Sequence, residues 1–301
     1  MNIRRFFVLV FAGVAGFALF ACHSDPERDT GSAPMYAYHP DSGMQADLAK
    51  AASLRIFFGH QSVGGNVIEG LSELRSLAGD TGLRIVHDPD PHALPPAFLA
   101  ETRIGRNGDP MGKLKAFRSA VDSAYGGGLD LALVKICYVD LERDTHVDPD
   151  SLFAAYRKTV LDMEAAHPGL VVIPVTSPLT SADFGARGRM DQIKGKIKRW
   201  LGGSDDNARR AIFNTRLREA FRDRTIFDIA AVESTRPDGS RVRYGRGDAV
   251  EGMAAEYTVD GGHLNELGRK IAARAFLRAL AEAAGGRNGP RKSIGASSPN
   301  S

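Results

Sequence analysis

The sequence predicts an α/β protein, a three-layer α/β/α sandwich built on a five-stranded parallel sheet. Three observations carry that expectation. Short apolar runs alternate with helical spacings over about 230 residues, a length that suits one α/β domain. The run at residues 129–139 is apolar almost throughout, as a strand covered on both faces requires. The run Leu54-Arg-Ile-Phe-Phe58 stops at Gly59 and passes at once into the helical spacing of Val67, Leu71, Leu74 and Ala78. A strand that breaks at a glycine and becomes a helix puts its loop at the carboxyl edge of the sheet, where open α/β sheets bind ligands.

The elements follow in order. The first strand covers residues 54–58, and its helix ends near Gly79. A second strand is expected at 83–87, before the proline-rich loop Asp88-Pro-Asp-Pro-His-Ala-Leu-Pro-Pro96, which excludes regular structure. The turn-rich Ile104-Gly-Arg-Asn-Gly-Asp-Pro110 introduces a helix over 111–125. The buried strand at 129–139 comes next. A helix over 149–166 follows, with Asp148 or Asp150 as its N-cap and His167-Pro168-Gly169 as its stop. Residues 170–176 form a fourth strand, a polar excursion occupies 181–206, a helix covers 207–221, and the fifth strand lies at 225–229. The closing helix spans 264–284, with Leu264, Leu267, Ile271, Ala275 and Ala279 on one face.

Composition narrows the partners. The chain has 301 residues, 43% hydrophobic, with a net charge of only +3. No basic stripe is interleaved with aromatics, so nucleic acid is not expected as a partner. Arg4-Arg5 precedes an apolar run at 6–20, short for a membrane span and typical of a secretory signal. The run ends Leu19-Phe-Ala-Cys22, which resembles a bacterial lipobox, with Phe20 bulkier than usual. By that resemblance residues 1–22 are a signal peptide and Cys22 is lipidated. The lipid would hold the protein in the cell envelope on the periplasmic side; an ordinary cleaved signal would leave it periplasmic. Residues 23–50 read as a tether, 51–285 as the domain, and 286–301 as a disordered tail. Only Cys137 then remains in the mature chain, so no intrachain disulfide is available to it.

Serine needs a neighbouring base to act as a nucleophile, and that base needs a partner to hold its tautomer. Ser62, His263 and Asp260 supply those three types. Each alone is unremarkable, since serines occur in turns and an Asp-Gly-Gly-His segment can simply cap a helix. Together they sit after the first strand and before the last helix, two positions that a parallel sheet can bring to one edge.

The order of strand, serine, α/β body, Asp-x-x-His and closing helix resembles the SGNH (GDSL-type) hydrolase superfamily over roughly residues 53–284. The segment Tyr257-Thr-Val-Asp-Gly-Gly-His-Leu-Asn-Glu-Leu-Gly268 is similar to that family's last block. The resemblance implies an SGNH/flavodoxin-like sandwich and a cofactor-free, metal-free Ser-His-Asp esterase. Ser62 would be the nucleophile, His263 the base and Asp260 its orienting acid. Gly105 or Gly108 would give an oxyanion-hole N–H. The chain departs from the family in two places. Gly59-His-Gln-Ser62 stands where Gly-Asp-Ser is usual, and Lys135-Ile-Cys-Tyr-Val-Asp140 lacks the family's oxyanion-hole Asn. Asn107 is the expected replacement. His60, Gln61 and Lys135 are expected to line the site. His60 reads equally well as packing beside the loop, and Cys137 reads as a buried, inert thiol. Glu233 and Arg236 read as lining a groove or as plain surface. The expected substrate is an O-acyl ester of a glycan or lipid, acted on by a monomer. The alternatives are a catalytically silent domain that binds envelope glycan or a protein, and an O-acyltransferase.

Overall fold

The computed structural model describes residues 38–79, 82–125, 128–181, 206–244 and 250–286. The expectations for the signal segment, Cys22, the excursion around Trp200 and the C-terminal tail fall outside these residues.

Five strands form one parallel sheet: β1 Arg55–His60, β2 Ile85–His87, β3 Phe98–Arg103, β4 Leu131–Val134 and β5 Val171–Val172, in the order β2-β3-β1-β4-β5. The expected fold class is what the chain adopts. Alternation along the strands makes three layers, because successive side chains point to opposite faces. Ile56, Phe58, Leu131 and Leu133 face one core, shared with α1 (Met44–Ala51), α2 (Ser62–Ala78) and α7 (Glu266–Gly286). Phe57, Ala132 and Val134 face the other, shared with α3 (Pro110–Ser119), α4 (Pro149–Ala166) and α5 (Asp206–Ala220). A short helix α6, Ile229–Glu233, and a two-stranded antiparallel ribbon, β6 Arg243–Tyr244 with β7 Val250–Glu251, complete the described elements.

The helix starts follow local chemistry. Asp109 caps α3 by accepting the Gly112 N–H (2.9 Å), and Pro110 at the first position loses no hydrogen bond. Asp148, rather than Asp150, caps α4 through the Ser151 N–H (2.8 Å). Asn265 accepts the Gly268 N–H at the start of α7 (3.0 Å).

The structure corrects four expectations. The fifth strand of the sheet is β3, in a stretch where no strand was expected: Pro95-Pro96 and the polar Glu101-Thr-Arg103 mask it. Its Glu101 is accommodated at the sheet's edge by His60 and His87. Residues 225–229 make only one isolated bridge, Val175 to Phe227, because Pro174 interrupts the neighbouring strand and supplies only its carbonyl, to the Phe227 N–H (2.8 Å). The run at 129–139 stays in the sheet only to Val134. Beyond it, Asp140 pulls the chain into a 3-10 turn, Tyr138–Leu141. Within the expected tether, residues 44–51 are helix α1, tied to α7 by Arg274 through Asp41 (2.6 Å) and Asp47 (2.8 Å).

Candidate active site

Three loops leave the carboxyl edge side by side, after β1, β3 and β4, with β1 in the middle. The Ile104 N–H donates to the His60 carbonyl and the Lys135 N–H to the Gly59 carbonyl, both at 3.0 Å. The register of the sheet thus carries on into the loops.

Ser62 is the first residue of α2. The Gln61 carbonyl takes the N–H groups of Gly64 (2.8 Å) and Gly65 (3.2 Å). The Ser62 N–H and Oγ make no hydrogen bond among the described residues, so both are open at the positive end of a 17-residue helix. Gly64 is needed here, since a Cβ on it would stand 2.3 Å from the His60 Cβ. His60 itself is buried. Its Nε2 meets Glu101 (2.6 Å) and its Nδ1 the Gln61 carbonyl (2.9 Å), and its ring lies against Phe58. Burial alone would push the Glu101 carboxyl up, but the hydrogen bonds from His60 and His87 outweigh it and hold the group below its ordinary value. His60 is buried and packs beside the Ser62 loop, so of its two sequence readings the packing one holds and the site-lining one is corrected.

Asp260 and His263 occupy a tight loop before α7. Asp260 Oδ1 accepts the N–H groups of Gly262 (2.9 Å) and His263 (2.7 Å), while Oδ2 meets His263 Nδ1 at 2.6 Å. Desolvation would raise the Asp260 carboxyl, but the His263 backbone and side-chain bonds, the Gly262 N–H and the imidazole's charge together lower it to about 2. An ionised acid on Nδ1 leaves Nε2 as the basic nitrogen. Thr258 braces the loop by donating to the His263 carbonyl (2.7 Å) and accepting the Gly261 N–H (2.8 Å). Asn66, four residues after Ser62 on α2, accepts the Leu264 N–H at 3.1 Å. The residue after His263 is therefore anchored about one helical turn from Ser62.

The β3 loop brings Gly105, in a left-handed conformation (φ 59°), against Lys113. A Cβ at Gly105 would lie 2.8 Å from the Lys113 Cγ. Gln61 reaches across from the Ser62 loop and donates to the carbonyls of Ile104 (2.8 Å) and Gly105 (3.0 Å). The Gly105 N–H has no partner among the described residues, whereas the Gly108 N–H is bound to Asp140 (2.8 Å). Of the two glycines, only Gly105 has a donor available. Asn107 is exposed, and its Oδ1 accepts from Lys113 Nζ at 3.0 Å. This places its amide within the Lys113–Asp140 network, not at the end of β4.

That network was not foreseen. Lys113 and Asp140 are both fully buried and joined at 2.6 Å, and Asp140 also takes the Cys137 N–H at 2.8 Å. The pair ties the loop after β3 to the loop after β4. A lysine within an otherwise apolar helical spacing was the available signal.

Lys135 is fully buried, with Nζ 3.3 Å from Cys137 Sγ, so it too does not line the site. Glu233, read from sequence as groove or surface, is 1% exposed. It accepts the Leu179 N–H (2.6 Å), and burial, opposed by that bond and by Lys135 and Arg210, raises its carboxyl to about 8. A cavity of about 440 Å³ between α6, α7 and Tyr38 is lined in part by Arg236, which fits its groove reading, but by none of Ser62, Asp260, His263 and Gly105.

No protein-family model matches the chain, and no curated protein matches it. Among solved structures it is similar to one from Streptococcus pneumonia described as a candidate platelet activating factor. That match has 14% identity, covers 79% of this chain and 91% of that one, and has a TM-score of 0.45. It is also similar to an acetyl xylan esterase, AlAXEase, with 17% identity, 74% and 98% coverage and a TM-score of 0.43. Both likenesses are loose, and the functional reading rests on the geometry of the site itself.

Proposed function

We propose that the protein is a serine hydrolase that cleaves an O-acyl ester through an acyl-enzyme. The observation that carries this reading is the Asp260–His263 pair, held by three hydrogen bonds and anchored through Asn66 to the helix that begins at Ser62. Ser62 Oγ attacks the ester carbonyl carbon while His263 Nε2 takes its proton. The tetrahedral oxyanion is held by the free N–H groups of Ser62 and Gly105. The carbon–oxygen bond to the alcohol then breaks, and His263 returns the proton to the leaving alkoxide. Water, deprotonated by the same imidazole, attacks the acyl-serine, releases the carboxylic acid and restores Ser62. Ionised Asp260 stabilises the imidazolium in both halves. The lipobox-like Cys22 supports a place in the bacterial cell envelope, with an acylated glycan or lipid as substrate.

The test is hydrolysis of a short-chain p-nitrophenyl ester by wild type, Ser62→Ala and His263→Ala. Each substitution is expected to lower turnover by at least about 10³-fold while leaving circular dichroism unchanged. Full activity in Ser62→Ala would overturn the reading.

A further inference from the structure

The loop after β4 delivers one side chain that the proposed reaction leaves unused. Tyr138 opens the turn that Asp140 fixes through the Cys137 N–H. Its ring stands edge-on to the His263 imidazole, with centroids 6.0 Å and planes 74° apart. Its hydroxyl lies against Gly262, where a Cβ would come within 2.8 Å of Oη. Buried Arg210 lies over the ring, its guanidinium carbon 5.5 Å from the centroid, and its Nε donates to the Tyr138 carbonyl at 3.1 Å. The ring is thus held by His263, Gly262 and Arg210. The residue is half-buried, and its hydroxyl has no hydrogen-bond partner among the described residues. A fixed donor beside the imidazole with no partner of its own is suited to a ligand.

On the serine-hydrolase reading, which this inference deepens, we propose that Tyr138 touches the substrate and that its hydroxyl donates to the acyl oxygen, completing an oxyanion hole with the N–H groups of Ser62 and Gly105. The position is right for that role: β4 pairs with β1, and the Lys135 N–H continues the pairing onto Gly59, three residues before Ser62. The chemistry is right as well. Burial, with Asp260 adding to it, raises the Tyr138 phenol above its ordinary value, so it stays protonated and donates at neutral pH.

Tyr138→Phe removes one oxygen and keeps the ring, its contact with His263 and its contact with Arg210. Wild type and variant are compared for p-nitrophenyl ester turnover, fluorophosphonate labelling of Ser62 and the pH profile of kcat/KM. Loss of one oxyanion donor predicts a fall in kcat of about 10²-fold or more with KM changed less than about threefold. Labelling should slow in proportion, and the acid limb of the profile should stay in place. Turnover within about threefold of wild type would overturn the proposal. A displaced acid limb would overturn it too, by showing that Tyr138 acts through His263. If wild type labels at Ser62 and Tyr138→Phe is fully active, only the tyrosine assignment falls. An inert wild type would remove the hydrolase reading and this inference together.

Discussion

Removing Asp140 tests whether the buried network holds the site's loops. The carboxylate accepts two bonds from Lys113 Nζ (2.8 and 2.6 Å), one from the Gly108 N–H and one from the Cys137 N–H (2.8 Å each), and neither member of the pair is exposed. Asp140→Ala leaves a buried ammonium with Asn107 as its remaining partner and orphans two N–H groups. Breaking a buried pair from one side costs about 3–5 kcal/mol, and each orphaned donor adds about 1–3 kcal/mol before relaxation. The expected loss is about 4–6 kcal/mol, a large share of an ordinary domain's stability. Lys113→Met should cost about 2 kcal/mol less, because Asp140 keeps two N–H donors when the ammonium is gone. In the double variant Lys113→Met/Asp140→Ala the ammonium is absent. Its loss should therefore fall short of the sum of the singles by about 2 kcal/mol. Urea unfolding followed by circular dichroism measures all three. A loss under about 1 kcal/mol for Asp140→Ala, or simple additivity, would refute the reasoning.

Two further outcomes follow from the buried groups. Glu233 has a folded value of about 8, above its ordinary 4.5, so its proton-linked stability is complete below pH 4.5 and is lost as pH rises toward 8. Wild type should lose about 4 kcal/mol more than Glu233→Gln between pH 5 and 9, and parallel pH–stability curves would contradict this. Gln61→Leu frees the Ile104 and Gly105 carbonyls and should lower kcat about tenfold with little change in KM, at a cost near 1 kcal/mol in stability. An unchanged kcat would remove Gln61 as the brace of the Gly105 turn.

The sequence made the frame legible wherever the apolar period was regular, as at α2, α4 and α7, with a cap to mark the start at α4. It failed where tertiary contacts overrode local pattern. β3 carries Glu101 inside the sheet because two histidines from other segments receive it. Residues 225–229 look like a strand, yet Pro174, which has no N–H to give, limits them to a single bridge at Phe227. At the candidate site, the Asp260–His263 pairing was legible from residue type and spacing, and Gly105, whose N–H is open, was one of the two glycines singled out in its turn. The spare residues could be sorted only by their contacts. Gly108 is excluded by a side chain 32 positions away, and His60 and Lys135 face inward. Asn66, one turn beyond Ser62, gave no sign in the sequence that it would anchor the Leu264 N–H. Tyr138 gave no signal, since a tyrosine ending a strand is usually core.

The central claim is that Ser62 is activated by His263. Incubating the folded protein with a fluorophosphonate, beside Ser62→Ala and His263→Ala, tests it directly. The account predicts one covalent adduct on Ser62 in wild type and none at a comparable rate in either variant. A folded wild type that takes no label, or an adduct that persists in Ser62→Ala, would contradict it.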